Sequence, residues 1–296
     1  MDDVWLLQSR DDEPGYRVLR CDARTGEVVA TVDVVEPRPM AGDSAQLAVG
    51  AGAVWIAAGH VFLYRVDPAR NQVTAAVSVG HHLDGLVVTD EAVWISNDRD
   101  GGRLLRIDLG DNRIALDIPV RAHALAAGAG ALWATWTRTI TRVDLASLAT
   151  QASYDLGDYV SEHAFGLGAL WALTLDGQSA GTDHERSRLW RIDPATHQHV
   201  ELAQLAGRPA LAVGAGAVWL DQRAADDRAY LCRFDVATHA LTRFEGARLQ
   251  PRFTRGADEV WGLDFDGDRP GGALVRFRPS LGRAEIIGHA RGDAVA

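Results

Sequence analysis

The chain has 296 residues, of which 47% are apolar and 24% charged, and its formal net charge is −10 at pH 7. This length and apolar content suffice for a single domain with a full core, which we expect to span residues 1–296. Without an apolar run of about 18 residues no membrane span is predicted. The sequence has no basic stripe interleaved with aromatic residues, so we expect no nucleic-acid partner. The start, Met1-Asp2-Asp3, lacks the basic and apolar regions of a signal peptide, so we expect a cytoplasmic protein.

One tryptophan-containing phrase recurs along the chain. Three copies are nearly identical: LAVGAGAVW ending at Trp55, LAAGAGALW at Trp133 and LAVGAGAVW at Trp219. A period of about 40 residues is typical of β-propeller blades. The seven repeat tryptophans are Trp5, Trp55, Trp94, Trp133, Trp171, Trp219 and Trp261.

Each repeat holds four short apolar runs bounded by turn residues. In the second repeat these runs cover residues 46–50, 53–58, 62–67 and 73–79. Their length, their content of Val, Ile, Leu and aromatics, and the Gly, Asp and Asn between them predict four antiparallel strands. The sequence therefore predicts an all-β, seven-bladed β-propeller with four antiparallel strands per blade.

The two ends of the chain are predicted to share one blade. The first apolar run, Val4 to Leu7, is already a second strand, and the tail Gly292-Asp293-Ala294-Val295-Ala296 resembles the missing first strand. The ring is then closed by the C-terminal strand joining the N-terminal blade. The predicted blades cover residues 1–35 with 290–296, 44–80, 83–120, 122–157, 160–206, 208–246 and 250–288.

A second repeated element, Arg-x-Asp, lies in the third strand of six blades, as in Arg65-Val66-Asp67. We expect the Asp to begin a turn and the Arg to pair with nearby carboxylates or carbonyls. Cys21 and Cys232 fall in blades 1 and 6, so we expect two small core residues and no disulfide. Residues that repeat are expected to hold the scaffold, and function is sought where the repeat is broken.

The irregular positions cluster just before the first strand of each blade, on the face of the long loops. Because equivalent positions of consecutive blades converge around a propeller axis, these side chains are expected to line the mouth of a central channel. We also align Asp84, His123 and His163 at one equivalent position of three consecutive blades, on the assumption that blade 5 has a shorter first turn. Trp136, in the turn after the second strand of blade 4, is either a lid on the core or a stacking platform. The candidate ligand-binding residues are His82, Asp84, Trp136, Asp43, Tyr159, Arg208 and Arg252, and the candidate catalytic residues are His123, His163, Glu162 and Arg121.

Three interpretations of this cluster stay open. It is a solvated polar rim, or it performs acid–base chemistry in which a carboxylate such as Glu162 or Asp84 orients an imidazole. In the third, a divalent metal (Mg, Ca or Zn) is held by His82, His123, His163 and Glu162.

The phrase GAGAVW followed by Arg-x-Asp-Pro, as at Trp55 and Arg65, resembles the YVTN-type and virginiamycin B lyase-like (streptogramin lyase-like) seven-bladed propellers of bacteria. The resemblance covers the whole chain and implies a lyase that opens a cyclic ester with a catalytic His and a magnesium ion at the channel mouth. Glu162-His163 is the nearest match to its acid–His pair. The Glu that the family commonly carries three residues after the Trp is absent: those positions hold Gln8, Ala58, Asn97, Trp136, Thr174, Gln222 and Asp264.

The leading hypothesis is a small-molecule site with lyase-like, C–O lyase or hydrolase chemistry. His163 or His123 would act as base, Glu162 and Asp84 as orienting or metal-binding groups, and Arg121 or Arg252 would stabilise developing negative charge. The alternative is a non-catalytic binding or protein–protein interaction scaffold that uses its rim loops.

Overall fold

The computed structural model describes residues 3–10, 15–35, 45–58, 61–80, 82–97, 101–178, 185–223, 229–245, 247, 249–255, 257–264, 273–289 and 294–295. Over this part of the chain the strands form seven antiparallel sheets of four strands each. This is the strand composition of a seven-bladed β-propeller, so the predicted fold class is confirmed. No helix in these segments is both long enough and apolar enough to cross a membrane.

The strands follow one another blade by blade. Blade 1 holds β1 (Asp3–Ser9), β2 (Gly15–Asp22) and β3 (Val28–Val35). Blade 2 holds β4 (Gln46–Gly50), β5 (Ala53–Ala58), β6 (Phe62–Asp67) and β7 (Gln72–Ser78). Blade 3 holds β8 (Gly85–Val88), β9 (Ala92–Asn97), β10 (Arg103–Asp108) and β11 (Ile114–Ile118). Blade 4 holds β12 (Ala124–Gly128), β13 (Ala131–Trp136), β14 (Thr139–Asp144) and β15 (Thr150–Asp155). Blade 5 holds β16 (Tyr159–Gly166), β17 (Ala169–Leu175), β18 (Arg186–Ile192) and β19 (His199–Ala206). Blade 6 holds β20 (Leu211–Gly214), β21 (Ala217–Arg223), β22 (Ala229–Phe234) and β23 (Leu241–Arg243). Blade 7 holds β24 (Gln250–Arg255), β25 (Glu259–Asp264), β26 (Ala273–Arg278), a short 3-10 helix (Pro279–Leu281) and β27 (Arg283–His289), and β28 (Ala294–Val295) follows.

The chain divides into two compact units. The first comprises residues 1–127, 134–136 and 291–296, and the second comprises residues 128–133 and 137–290. The prediction of a single domain over residues 1–296 stays a prediction.

The C-terminal strand completes blade 1, as predicted. In the sheet order β28-β1-β2-β3, the last strand takes the place that the first strand of the repeat holds in other blades. Leu6 pairs with Val295 and Leu7 with Ala294. The edge of β1 is thereby covered by backbone hydrogen bonding, which removes an open sheet edge.

The repeat tryptophans form the core between neighbouring sheets. Each of the seven is at most 1% exposed. In the first unit Trp5 packs with Val54 of blade 2, and in the second unit Trp219 packs with Val260 of blade 7. One large ring per blade therefore fills the gap to the next sheet, because an indole buries more apolar area than any other side chain.

In blades 2 and 4 the arginine of Arg-x-Asp ties the repeat tryptophan to the next blade. The Arg65 guanidinium lies 5.3 Å from the centre of the Trp55 ring and donates to the Leu109 carbonyl oxygen at 3.1 Å. Arg142 repeats the arrangement in the second unit, 5.5 Å from Trp133 and 2.8 Å from the Pro194 oxygen. The predicted pairing of this arginine with carbonyl groups is confirmed, with a cation–π contact added.

The aspartate of Arg-x-Asp begins a turn, as predicted. Asp144 accepts hydrogen bonds from the backbone N–H of Ser147 at 2.8 Å and of Ala146 at 3.2 Å. These bonds favour the ionised carboxylate and lower its pKa. The same backbone bonds lower the pKa of the aspartates at the equivalent turns: Asp22, Asp67, Asp108, Asp193 and Asp235.

Asp144→Asn is therefore expected to reduce stability at pH 7 but not at strongly acidic pH. Because the folded-state pKa lies below the unfolded one, the charged carboxylate contributes stability above the unfolded pKa. That contribution is lost as the pH falls through the folded pKa. Melting temperatures measured from pH 7 down to about pH 2 should converge for the two proteins. Asp90→Asn, in an exposed turn outside the Arg-x-Asp element, is the control. A difference in melting temperature between wild type and Asp144→Asn that persists at acidic pH would contradict the role of the Asp144 carboxylate.

Cys21 and Cys232 are buried and not linked to each other. Burial raises the pKa of both thiols to about 11. Both are therefore thiols at neutral pH and act as small core residues, as predicted.

Candidate functional site

In the first unit, a histidine–carboxylate pair lies at the start of blade 3. His82 Nε2 is 3.1 Å from Asp84 Oδ1, with side chains 15% and 14% exposed. The Asp84 backbone is held from two sides, because its N–H donates to the Ser96 oxygen at 2.9 Å and its carbonyl accepts from the Gln46 side-chain amide. The pair is thus largely shielded from water and lies directly before β8, with its Asp84 backbone held by blades 2 and 3.

The residue after this pair must be a glycine. A Cβ at Gly85 would collide with Ser96 Oγ and would lie 3.1 Å from the backbone nitrogen of Leu125 in β12. The first strands of blades 3 and 4 therefore approach closely beside Asp84. His123, two residues before Leu125, stands at the same level of its own blade, because its N–H donates to the Thr135 oxygen at 2.8 Å.

Blade 4 adds a cation and an aromatic surface to the same unit. The Arg121 guanidinium lies 4.8 Å from the centre of the Trp136 ring, and the His123 ring lies 6.2 Å from it. Trp136 is the last residue of β13, one position earlier than the turn in which we predicted it, and is half-buried. Because Arg121 and His123 both contact this indole, the stacking-platform interpretation fits better than that of a core lid.

In the second unit, Glu162 lies in a different charged environment. Its side chain is half-buried in β16, and desolvation raises its pKa, with Asp221 acting in the same direction and Arg252 and Arg208 in the opposite one. Both arginines are exposed. Asp221 is 3% exposed and accepts a hydrogen bond from the Ala210 N–H at 2.5 Å. Glu162 is therefore grouped with residues of blades 6 and 7.

The strand register of blade 5 corrects one prediction. His163 pairs with Ala172, the residue after Trp171, so it takes the position of Leu86, which pairs with Ile95 after Trp94. Asp84 lies two positions before Leu86. His123 likewise lies two positions before the residue of blade 4 that corresponds to Leu86. The prediction of one equivalent position for Asp84, His123 and His163 was wrong, because the first turn of blade 5 is as short as that of blade 2.

The first strand of blade 5 contains a β-bulge, in which Ser161 is one extra residue. The register shifts between Val160 and Glu162, and Ser161 Oγ donates to the Leu173 oxygen at 3.3 Å. After the bulge the pairing is regular, so Glu162 and His163, being consecutive, point to opposite faces of the sheet. This arrangement does not suit the predicted acid–His pair of these two residues, in which Glu162 would orient the His163 imidazole.

Glu162→Gln is expected to raise the melting temperature at neutral pH. The folded-state pKa of Glu162 lies above the unfolded one, so its contribution is fully present below the unfolded pKa and is lost as the pH rises through the folded pKa. A glutamine cannot ionise and avoids that loss, so the two melting curves should coincide near pH 3 and separate on going to pH 8. Glu285→Gln is a control with the opposite sign, since the Arg276 guanidinium 2.8 Å away lowers the pKa of Glu285.

The remaining predicted residues are less informative. Tyr159 is exposed at the start of β16, and Asp43 lies outside the described residues. Among the residues that the structure describes, no group of three or more His, Cys, Asp or Glu is arranged to hold a metal ion. The metal-ligand set of His82, His123, His163 and Glu162 gains no support from this arrangement.

Sequence analysis missed two side chains that shape these sites. Asp221 stands two residues after Trp219, at a level where blade 2 has Ala57 and blade 5 has Leu173, so aligning the repeats past the tryptophan would have singled it out. Gln46, which donates to the Asp84 carbonyl, carries no comparable signal, because a polar residue at a strand end is ordinary.

Comparisons with known proteins support the fold. The chain is similar to hydrazine synthase of Kuenenia stuttgartiensis, with 13% identity, a TM-score of 0.67 and coverage of 93% of this chain and 95% of that one. It is similar to a candidate 6-phosphogluconolactonase of Bacteroides fragilis, with 10% identity, a TM-score of 0.67 and coverage of 100% and 98%. It is also similar to the dihydro-heme d1 dehydrogenase NirN, with 14% identity, a TM-score of 0.62 and coverage of 100% and 74%.

No protein-family model matches the chain, and no curated protein matches it. The structural likenesses, all at low identity, establish the fold alone. The chain is thus a seven-bladed β-propeller, whereas the resemblance to the YVTN and streptogramin lyase-like proteins remains a resemblance.

Proposed function

We propose that this protein binds a small anionic molecule and cleaves a C–O bond in it by acid–base catalysis, as a lyase or hydrolase. The observation that carries the proposal is the His82–Asp84 pair, an imidazole 3.1 Å from a carboxylate in a largely enclosed position. Such pairs serve general acid–base catalysis because the carboxylate fixes the imidazole and favours its protonated form. His82 therefore replaces His163 or His123 as the proposed base.

The geometry assigns a role to each imidazole nitrogen. Nε2 faces Asp84 Oδ1 and is proposed to donate to it, while the imidazole accepts a proton from the substrate or from water. The carboxylate then stabilises the imidazolium that forms. Asp84 keeps the orienting role that the sequence predicted, with His82 as its partner.

Arg121 and Trp136 are proposed to bind the anionic part of the substrate. The exposed guanidinium lies 4.8 Å above the indole, so one face of the pair offers hydrogen-bond donors and the indole offers a flat apolar surface. His123 contacts the same ring and can donate to an oxygen that gains negative charge during cleavage. An ester or lactone with a carboxylate or phosphate fits these groups.

The streptogramin lyase-like resemblance would add a magnesium ion, and the donor set does not fit one. Magnesium requires near-octahedral oxygen ligands, whereas Asp84 Oδ1 is 3.1 Å from an imidazole nitrogen and Glu162 lies in the field of Arg208 and Arg252. No step of the proposed reaction passes through a metal. The lactone named for the Bacteroides protein makes ring-opening hydrolysis a natural first assay.

The test is a panel of anionic lactones and esters assayed with wild type, His82→Gln and Asp84→Asn. For a substrate that is turned over, we expect His82→Gln to lower kcat/KM by about 10²–10⁴-fold, the usual contribution of a general base. Asp84→Asn should also lower kcat/KM, by less than His82→Gln, because the imidazole loses the carboxylate that orients it. His239→Gln, in a turn of blade 6, is the matched control.

Two results would count against catalysis at this pair. Turnover that is unchanged in His82→Gln, with the melt preserved, would place the chemistry elsewhere. Binding of a panel member without turnover in wild type would favour the non-catalytic scaffold.

A further inference from the structure

A second group of irregular residues lies in blade 5, on the turn between its third and fourth strands. This turn and the start of β19 border a cleft of about 520 Å³, a volume within the range of small-molecule sites. The residues that line it are Arg191, Asp193, Thr196, His197, Gln198, His199 and Val200. All of them belong to the second unit, and the proposed function uses none of them.

The two histidines of this cleft are not required by the turn. His197 has φ 60, and Asn71 and Asn112 adopt the same left-handed conformation at the equivalent positions of blades 2 and 3. Asparagine tolerates that conformation better than most residues. His199 takes the place of Val73 and Ile114, the exposed early residues of the fourth strand in those blades. Blade 5 therefore carries two imidazoles where blades 2 and 3 carry an amide and an aliphatic side chain.

Both imidazoles are fixed against one tyrosine of blade 4. The Tyr154 hydroxyl is 2.8 Å from His197 Nδ1, and its ring lies 5.9 Å from the His199 ring in an edge-on contact. His199 also contacts the Trp190 ring at 6.1 Å. Tyr154 is buried, so it holds the pair in place and leaves His197 Nε2 for a ligand.

The charges around the imidazoles favour an anion. Arg191 Nη2 is 3.2 Å from Asp193 Oδ2, and the Asp193 carboxylate also accepts the N–H groups of Ala195 and Thr196. The arginine and the aspartate thus compensate each other. Arg142, on the neighbouring strand of blade 4, contributes a further positive charge close to Tyr154. The charge that these groups leave uncompensated is therefore positive.

We propose that this cleft binds a small molecule through a phosphate group. A phosphate offers three acceptor oxygens to the three donors Arg191, His197 and His199, whereas a carboxylate offers only two. The expected ligand is a phosphate ester whose organic part lies along Gln198 and Val200.

Isothermal titration with phenyl phosphate and with benzoate, at one pH, tests the assignment. Phenyl phosphate is expected to bind wild type at least tenfold more tightly than benzoate. His199→Gln and Arg191→Gln should each weaken the binding of phenyl phosphate by at least tenfold. His239→Gln is the matched control, because His239 has the same backbone conformation in the turn of blade 6 and stacks on Phe234 instead.

Three results would overturn the proposal. They are the absence of phenyl phosphate binding at millimolar concentration, equally tight binding of benzoate, and an equal loss of affinity in His239→Gln. Melting curves of each variant show whether the fold is retained, and His197→Asn, which restores the residue of blades 2 and 3, tests the cleft if Arg191→Gln does not fold.

Discussion

Trp219→Ala is expected to destabilise the protein by about 3–5 kcal/mol, the usual cost of truncating a fully buried aromatic side chain. The Trp219 ring lies 5.8 Å from the Phe277 ring and 6.1 Å from the Phe244 ring, and its indole N–H donates to the Gly214 oxygen at 2.9 Å. Removal leaves a cavity between blades 6 and 7 and deletes the indole hydrogen bond to Gly214. For a chain of this size each kcal/mol corresponds to about 2–4 °C, so the melting temperature should fall by roughly 6–20 °C.

Two further variants separate the contributions at this position. Trp219→Phe keeps most of the apolar area and removes the N–H. We expect it to destabilise the protein clearly less than Trp219→Ala does, with about 1 kcal/mol of its effect due to the lost hydrogen bond. Trp136→Ala is the matched control outside the repeat, because that ring is half-buried at a strand end and should matter for ligand binding more than for stability. If the melting temperature of Trp136→Ala were as low as that of Trp219→Ala, the assignment of Trp219 to the scaffold and Trp136 to the site would be contradicted.

Deletion of residues 291–296 is expected to lower the melting temperature by at least roughly 4–8 °C. The deletion removes β28 and with it the pairing of Leu6 with Val295 and of Leu7 with Ala294. Backbone hydrogen bonds contribute about 1 kcal/mol each, and the backbone of Leu6 and Leu7, whose side chains are fully buried, becomes a sheet edge. Such an edge also favours association between chains, so the variant should aggregate earlier on heating.

Removal of Ala296 alone is the control for this deletion, because the paired residues remain. It should leave the melting temperature unchanged. If the longer deletion melts like wild type, the pairing of the two chain ends does not contribute to stability and the closure has no energetic role.

The scaffold was predictable because its determinants are local and repeat along the chain. The tryptophan phrase, the Arg-x-Asp turn and the Gly-rich first turns recur in register, and the strands of blade 2 begin and end within one residue of the predicted limits. Repetition averages out the ambiguity of any single short apolar run. The closure of blade 1 by Ala294-Val295 was equally visible, because one blade lacked a strand and the tail supplied one.

The candidate site was predictable in its residue types but not in its grouping. Asp84 was expected to orient a histidine and does contact one, His82. The prediction for blade 5 was wrong in register, because its first turn is not shortened and a bulge at Ser161 lengthens its first strand instead. A bulge depends on pairing between strands and leaves no reliable mark in one strand alone.

The amino-acid sequence by itself determined the number of blades, the strand order, the buried tryptophans and the turn aspartates, because each depends on interactions within one repeat or between equivalent positions of adjacent repeats. Only the tertiary structure decided that Glu162 is grouped with Arg208 and Arg252 and that His197 and His199 lie against Tyr154. These groupings depend on strand register and on the face to which each side chain points, and a shift of one residue reverses that face. Electrostatic environments and clefts are therefore set by packing between blades that the repeat pattern does not encode.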